Sequence, residues 1–339
     1  MRIRSLVPAL ACLAAAPLAI AADGPSVKFD GFVDTVYSIT NNEHGGGSTG
    51  FNYAGKLGVS AAISDKVSAQ VDLNIDVDGS TGVNDNGVTS RQAYGVWKVI
   101  DGVELKTGKF ISDYGWTAAY APGLYRINGG LLPTLYGVDQ VGVNAKYSMG
   151  DLAVALTVAN GFFGEGVGAG NQDGTQDNEA YAVGLDVVYT LGEMGSVNLE
   201  LINDSDVGDG EDGNGTHIGV NATLTPTKEL TVGAEIISQT VNNTDGGKDD
   251  QATGAMVLAN FKLATAMPMS VTGQYSFLDQ DSGSTSDTVK NELAVALLTN
   301  PAGTDKLGAN LELSYTTVET DSEDTEYSIG LAGEILYVF

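Results

Sequence analysis

The stretch Val67–Val77, VSAQVDLNIDV, decides the fold, because its side chains alternate between two kinds at every step. One set is apolar and consists of Val67, Ala69, Val71, Leu73, Ile75 and Val77, and the other is polar and consists of Ser68, Gln70, Asp72, Asn74 and Asp76. Successive side chains of a β-strand point to opposite faces, so this segment predicts a strand with one apolar and one hydrated face. A tilted strand of this length is long enough to cross a bilayer.

The same two-residue period recurs as far as the C-terminus and indicates about sixteen strands. We expect them to start near Val27, Phe51, Val67, Arg91, Val103, Val141, Leu152, Ala180, Val197, His217, Glu229, Thr253, Met269, Asn291, Lys306 and Glu326. Short links alternate with long ones, and the long ones include Ser112–Asp139, Asp279–Lys290 and Glu319–Thr325. An even number of strands with both chain ends on one side of a membrane produces this alternation.

These patterns predict an all-β fold, a closed antiparallel transmembrane β-barrel with short periplasmic turns and long extracellular loops. Lipid offers no partner to backbone N–H and C=O groups, so strands cross it only when the sheet closes on itself. A soluble β-sandwich is the alternative, but its strands are usually shorter. Aromatic residues on the apolar parity favour the barrel, since they form girdles at the lipid boundaries: Phe29, Tyr37, Phe51, Tyr53, Trp97, Tyr147, Tyr189, Phe261, Tyr275, Phe277, Tyr315, Tyr327 and Tyr337.

Residues 1–22 have the pattern of a secretory signal peptide. Arg2 and Arg4 precede an apolar run from Leu6 to Ile20, and small residues flank Ile20 before the expected cleavage point. The only cysteine, Cys12, lies inside this segment, so we expect no disulfide in the mature chain. We therefore expect an exported protein whose single domain, the barrel, spans residues 23–339.

The charge is strongly acidic, with 43 Asp and Glu against 16 Lys and Arg and a net charge of −27. Nucleic acid is an improbable partner, because phosphate contacts need Lys and Arg. Acidic residues crowd two predicted outer loops: Asp204, Asp206, Asp209, Glu211 and Asp212 in one, and Glu319, Asp321, Glu323, Asp324 and Glu326 in the other. A negative mouth raises the local concentration of cations, so we expect a weak cation preference.

Catalysis is not expected from this sequence. His44 and His217 are the only histidines, and neither has the spacing of a Ser–His–acid arrangement. The loop Asp204–Gly213 lacks the spacing of a calcium-binding EF-hand, and we expect neither a metal site nor a cofactor. Two alternatives to an open channel remain, an outer-membrane hydrolase and a plugged barrel that acts as an adhesin or structural protein.

Several segments resemble a known family. Gly108–Gly115, Gly137–Tyr147 and Val158–Gly161 are similar to segments of the OmpL-like β-barrel porins, and Ile335, Tyr337 and Phe339 resemble the C-terminal signature read by the barrel assembly machinery. The family commonly has Thr-Pro where this chain has Ser112-Asp113. The resemblance implies a Gram-negative outer-membrane porin, a water-filled channel for passive diffusion of small hydrophilic solutes. It also implies contact with lipid and lipopolysaccharide, and a possible homotrimer.

General porins fold their third external loop into the lumen, so the resemblance nominates Ser112–Asp139 as a constriction. Its candidate residues are Asp113, Trp116, Tyr120, Tyr125, Arg126 and Asp139. An ordered external cap is the alternative. About sixteen strands leave an aqueous channel, and the polar parity nominates as pore-lining residues Lys56, Asp72, Asp76, Lys98, Glu104, Lys106, Lys146, Glu200, Lys262 and Glu312. Each could instead simply be solvated. We expect the inner face to meet water rather than a packed core.

Overall fold

A computed structural model of the chain describes residues 25–43, 46–77, 87–136, 139–162, 181–205, 214–242, 249–282, 287–321 and 323–339. The predicted signal peptide and His44 lie outside these ranges. The described residues contain sixteen strands: β1 Ser26–Asn42, β2 Ser48–Ala62, β3 Val67–Val77, β4 Gly87–Ile100, β5 Val103–Ile111, β6 Asp139–Met149, β7 Leu152–Ala159, β8 Ala182–Thr190, β9 Gly195–Asp204, β10 Gly215–Leu224, β11 Leu230–Val241, β12 Asp250–Leu263, β13 Met269–Ser282, β14 Thr288–Thr299, β15 Leu307–Thr320 and β16 Glu323–Val338.

The sixteen strands form one closed antiparallel barrel, as the sequence predicts. Each strand pairs with its neighbours in the chain, and β1 pairs with β16 from Phe32↔Val338 to Asn42↔Ser328. The C-terminal residue extends this seam, because the Gly31 N–H donates to the Phe339 carbonyl at 3.1 Å and the Phe339 N–H donates to the Gly31 carbonyl at 3.0 Å. The Phe339 ring lies where a side chain at position 31 would stand, so the seam needs glycine there.

The two faces of the wall differ as the alternation requires. On β12, Val257 and Phe261 are each 49% exposed, whereas Met256 and Asn260 are 5% and 3% exposed. The predicted girdle aromatics are exposed on the outer face, with the exception of the half-buried Phe277. None of the described residues forms a helix long and apolar enough to cross a membrane.

Strand boundaries depart from the sequence prediction at the last two long links. β13 and β14 leave only residues 283–287 between them, and β15 and β16 leave only 321–322. Glu319, Glu323 and Glu326 therefore lie on strands rather than in a loop. Polar side chains do not stop a strand at the membrane surface. The backbone hydrogen bonds between neighbouring strands form in water as they do in lipid, so the strands continue beyond the bilayer. In the other acidic cluster, Asp204 ends β9, and residues 206–213 lie outside the described part of the chain.

Candidate functional site in the barrel lumen

Residues 112–136, which we call the lumen segment, connect β5 to β6 and lie inside the barrel. The segment contains two short 3₁₀ turns, Ala121–Gly123 and Leu132–Leu135. Its hydrogen bonds reach side chains on β3, β9, β10, β11, β14 and β15, strands that stand on different sides of the barrel. Since those side chains belong to the inner parity of the wall, the segment crosses the lumen.

One end of the segment is fixed to the wall at β9–β11. The Gly115 N–H donates to the Glu200 carboxylate at 3.0 Å, and the Trp116 N–H donates to Glu235 at 2.8 Å. The Trp116 indole N–H donates to the Thr223 hydroxyl at 2.7 Å. Two carboxyl groups and one hydroxyl thus accept hydrogen bonds from backbone and indole donors that enter a buried region.

Glycines on the inner parity make room for the aromatic residues of the segment. A Cβ added to Gly233 would collide with the Trp116 ring, and a Cβ added to Gly184 would collide with the Tyr114 hydroxyl. Burial raises the pKa of Tyr114 to about 12, so its hydroxyl stays neutral near pH 7. At these two points the wall therefore has glycine, which lacks a side chain and lets the segment approach closely.

The middle of the segment is fixed to β14 and β15 through Arg126. Its Nη2 lies 2.7 Å and its Nε 3.2 Å from the two carboxylate oxygens of Glu312, and its Nη1 donates to Glu292. The Arg126 and Glu312 side chains are 3% and 1% exposed. The backbone N–H groups of Ile127 and Asn128 also donate to Glu312, at 2.8 and 3.2 Å. Burial lowers the pKa of Arg126, but the hydrogen bonds to Glu312 and Glu292 and the charges of these two carboxylates together raise it by more.

Tyr120 reaches the opposite wall. Its hydroxyl donates to Asp72 at 3.1 Å, and its ring packs edge-on to Phe32 with the centroids 5.8 Å apart. The charged groups of Lys56 and Arg91 lie 5.0 and 5.2 Å from the ring centroid, within cation–π range. Burial, followed by the Asp72 charge, raises the pKa of Tyr120, so the hydroxyl remains a hydrogen-bond donor.

An apolar cluster lines part of the inner wall, so the expectation of a wholly hydrated inner face was wrong at this place. Leu132, Leu135 and Tyr136 of the segment pack against buried inner residues of β11–β13, namely Ile237, Ala252, Met256, Leu258 and Leu278. The Gln239 side-chain amide donates to the Leu135 carbonyl, and the Tyr136 hydroxyl donates to Glu235. Removing this apolar surface from water favours docking of the segment on this arc of the wall.

The structure gathers most of the predicted constriction residues in the segment. Tyr125 stacks on Trp116 with ring centroids 5.5 Å apart, and Asp113 is about half exposed and pairs with Lys106 at 3.2 Å. Asp139 instead belongs to the wall, since it begins β6 and lies 3.3 Å from Arg91 Nε.

The predicted pore-lining residues fall into two groups. Those at the level of the segment are Lys56, Asp72, Lys106, Glu200 and Glu312, and each of them contacts the segment or a partner that does. Those nearer the short-turn end are the exposed Lys98, Lys146 and Lys262 and the half-buried Glu104, and Lys98 pairs with Glu104 at 3.8 Å. The side chain of Asp76 lies outside the described part of the chain.

Sequence reasoning did not single out Arg91, Thr223 or Gly233. Arg91 is the extra residue where the β3–β4 register shifts, so the alternation could not place it. Gly233 did carry a signal, because a glycine on the polar parity of a strand marks a close approach by another part of the chain.

Known proteins were compared with this chain at the level of sequence and of structure. The sequence profile of the family described as "Putative beta-barrel porin-2, OmpL-like" matches residues 26–325. A search of curated proteins found no match.

Solved structures of several outer-membrane proteins have the same fold. The anion-selective porin from Comamonas acidovorans has a TM-score of 0.70 at 15% identity, over 93% of this chain and 100% of its own. The outer membrane channel DcaP of Acinetobacter baumannii has a TM-score of 0.65 at 12% identity, over 94% and 99%. The trimer form of Vibrio cholerae OmpT has a TM-score of 0.64 at 14% identity, over 94% and 100%.

Proposed function

The chain belongs to the OmpL-like β-barrel porin family and is an outer-membrane porin, and we propose that small hydrophilic solutes and ions diffuse passively past its lumen segment. The observation that carries this proposal is the course of residues 112–136, which cross the lumen and narrow it. The channel works without a catalytic step, through the size and charge of the remaining passage. His217 supports this, because it is only 1% exposed and packs edge-on to Phe162 rather than facing a substrate.

The cations of the inner wall gather on one side, where Lys56 pairs with Asp72 and Arg91 with Asp139, and further carboxylates stand on the other side. Lys56, Arg91 and Lys106 stand on β2, β4 and β5, and Glu200 and Glu235 stand on β9 and β11. Of the three cations, Lys106 and Arg91 keep about a fifth of their side chains exposed. Opposed charges set up a field across the passage, which favours polar solutes over apolar ones of the same size.

We further propose that the channel prefers cations to anions. The net charge of −27 supports it, as do the acidic residues on and around β15 and β16. The Comamonas neighbour is described as anion-selective, but an identity of 15% carries only the fold. The reversal potential across a bilayer under a KCl gradient decides the sign. We expect a modest potential of cation sign, and one of anion sign would overturn this part.

Diffusion itself is tested by swelling of proteoliposomes in isotonic sugars and amino acids of increasing mass. We expect rates that fall steeply with solute mass and do not saturate with concentration. Vesicles that contain the folded protein but swell no faster than empty ones would favour the plugged barrel instead.

Export and assembly complete the proposal. Residues 1–22 are removed as a signal peptide, the barrel assembly machinery reads the end at Phe339, and the mature barrel contacts lipid and lipopolysaccharide. We also propose that the barrel assembles as a homotrimer. The Vibrio cholerae neighbour has a trimer form, and what it shares with this chain is the fold. N-terminal sequencing of the purified protein tests the removal of the signal peptide, and cross-linking in native membranes tests the homotrimer.

A further inference from the structure

A cavity of about 510 Å³ lies beneath the lumen segment, against the inner face of β12–β16. Its roof is formed by Ala121, Pro122 and Leu124, and short turns supply Thr265 and Asn300 at its open end. The volume falls within the range of about 300–1,000 Å³ that is typical of small-molecule sites. We call this cavity the vestibule pocket.

The wall of the vestibule pocket is divided between polar and apolar side chains. Its apolar part includes Pro122 and Leu124 of the lumen segment and Leu298, Leu336 and Val338 on the inner parity of β14 and β16. The inner parity elsewhere at the short-turn end carries Lys98, Glu104 and Lys146. An apolar surface inside an aqueous passage, set beside convergent polar groups such as Lys262, Ser270 and Asn310, is the usual composition of a ligand site.

One positive charge at this pocket is available to a ligand. Arg126 and Glu334 also line the pocket, but Arg126 is bound to Glu312 and Glu334 accepts from Asn310. Lys262 is exposed, and within the described residues none of the ion pairs involves it. Its ammonium group therefore lines the same pocket as the apolar side chains and can bind a solute. The remaining charged residue of the lining, Asp305, lies on the exposed turn at the rim.

We propose that the vestibule pocket binds small amphipathic anions, molecules with one carboxylate and an aromatic or branched apolar body. The carboxylate pairs with Lys262 while the apolar body lies against Leu298 and Leu336. The proposal rests on the proposed channel, since a solute meets the pocket on its way through the lumen. Binding is weak, because a solute that is held tightly would block its own passage.

The test uses the reconstituted full-length mature protein in planar bilayers, with phenylacetate added at the short-turn side. We expect phenylacetate to reduce the ion current in the millimolar range. Acetate, which lacks the apolar body, and 2-phenylethanol, which lacks the charge, should both leave the current unchanged. Lys262→Gln should raise the half-blocking concentration about tenfold, since one charge-assisted hydrogen bond is lost. Lys262→Arg should restore it, and Lys98→Gln is the matched control.

The outcomes separate the site from the channel. Equal block by acetate and phenylacetate, or equal effects of Lys262→Gln and Lys98→Gln, would overturn the pocket while leaving the channel intact. An absence of any conductance would overturn the proposed function instead. In that case calorimetric titration of the detergent-solubilised protein with phenylacetate still tests the pocket, because binding that is weakened in Lys262→Gln supports it and undetectable binding overturns it.

Discussion

Replacing Glu312 with alanine should release the lumen segment from the wall. Glu312 accepts five hydrogen bonds from the segment, two from the Arg126 guanidinium, two from the backbone N–H groups of Ile127 and Asn128, and one from the Asn128 amide. After Glu312→Ala, Arg126 keeps Glu292, and the N–H groups of the buried Ile127 and the exposed Asn128 lose their acceptor. Glu292 holds one side of the guanidinium, so the segment loosens but the barrel wall is untouched.

The size of the effect follows from the burial of the pair. Removing one partner from a buried ion pair costs about 3–5 kcal/mol. The remaining contact with Glu292 argues for the lower value, about 3 kcal/mol. Since 1.4 kcal/mol corresponds to a factor of ten, the undocked fraction of the segment should rise by roughly a hundredfold.

Trypsin reads this fraction directly, because Arg126 is itself a cleavage site and is 4% exposed when docked. We expect trypsin to cut the folded Glu312→Ala barrel after Arg126 roughly a hundredfold faster than the wild type. This holds when the segment undocks and redocks faster than trypsin cleaves it. Single-channel conductance should become larger and noisier at the same time. The matched control is Glu104→Ala, which removes a half-buried inner carboxylate whose described ion pair is with Lys98 rather than with the segment. Wild-type cleavage and conductance in a folded Glu312→Ala barrel would show that Glu312 does not hold the segment in place.

Other predictions concern the close approaches of the fold. Gly233→Ala places a methyl group against the Trp116 ring, so overpacking should cost about 1–3 kcal/mol and shift tryptophan emission to longer wavelength, whereas Gly273→Ala on β13 meets no neighbour within 4 Å and should change neither. Deleting Phe339 removes both hydrogen bonds to Gly31 at the β1–β16 seam, so a smaller fraction of the protein should migrate as a folded barrel in unheated gels. An unchanged folded fraction would show that the seam closes without its last residue.

The fold was predictable because the membrane imposes the same rule on every strand. Each strand must present apolar side chains to lipid and satisfy its backbone through neighbours, so the alternation in Val67–Val77 recurs around the barrel. Strand ends were less predictable, as Glu319 and Glu323 show, because water accepts polar side chains in a strand as readily as in a loop.

The lumen was predictable only in part. The alternation of polar and apolar residues places Asp72, Glu200 and Glu312 on the inner face of the wall. It does not identify their partners, because Gly115 and Glu200 are 85 residues apart in the chain and Arg126 and Glu312 are 186 apart. Such pairs depend on how the segment crosses the barrel, which no local pattern encodes. The apolar arc of β12 left a trace, since residues 255–259, AMVLA, are apolar on both faces.

Diffusion through the protein requires a hydrated passage beside the docked segment. Single-channel recording of the purified wild-type protein in planar lipid bilayers detects such a passage. We predict discrete steps of current with uniform size that scale with KCl concentration. If protein shown to be folded by its heat-dependent gel mobility inserted into the bilayer and gave no steps, the lumen would be closed and the protein would not be a diffusion channel.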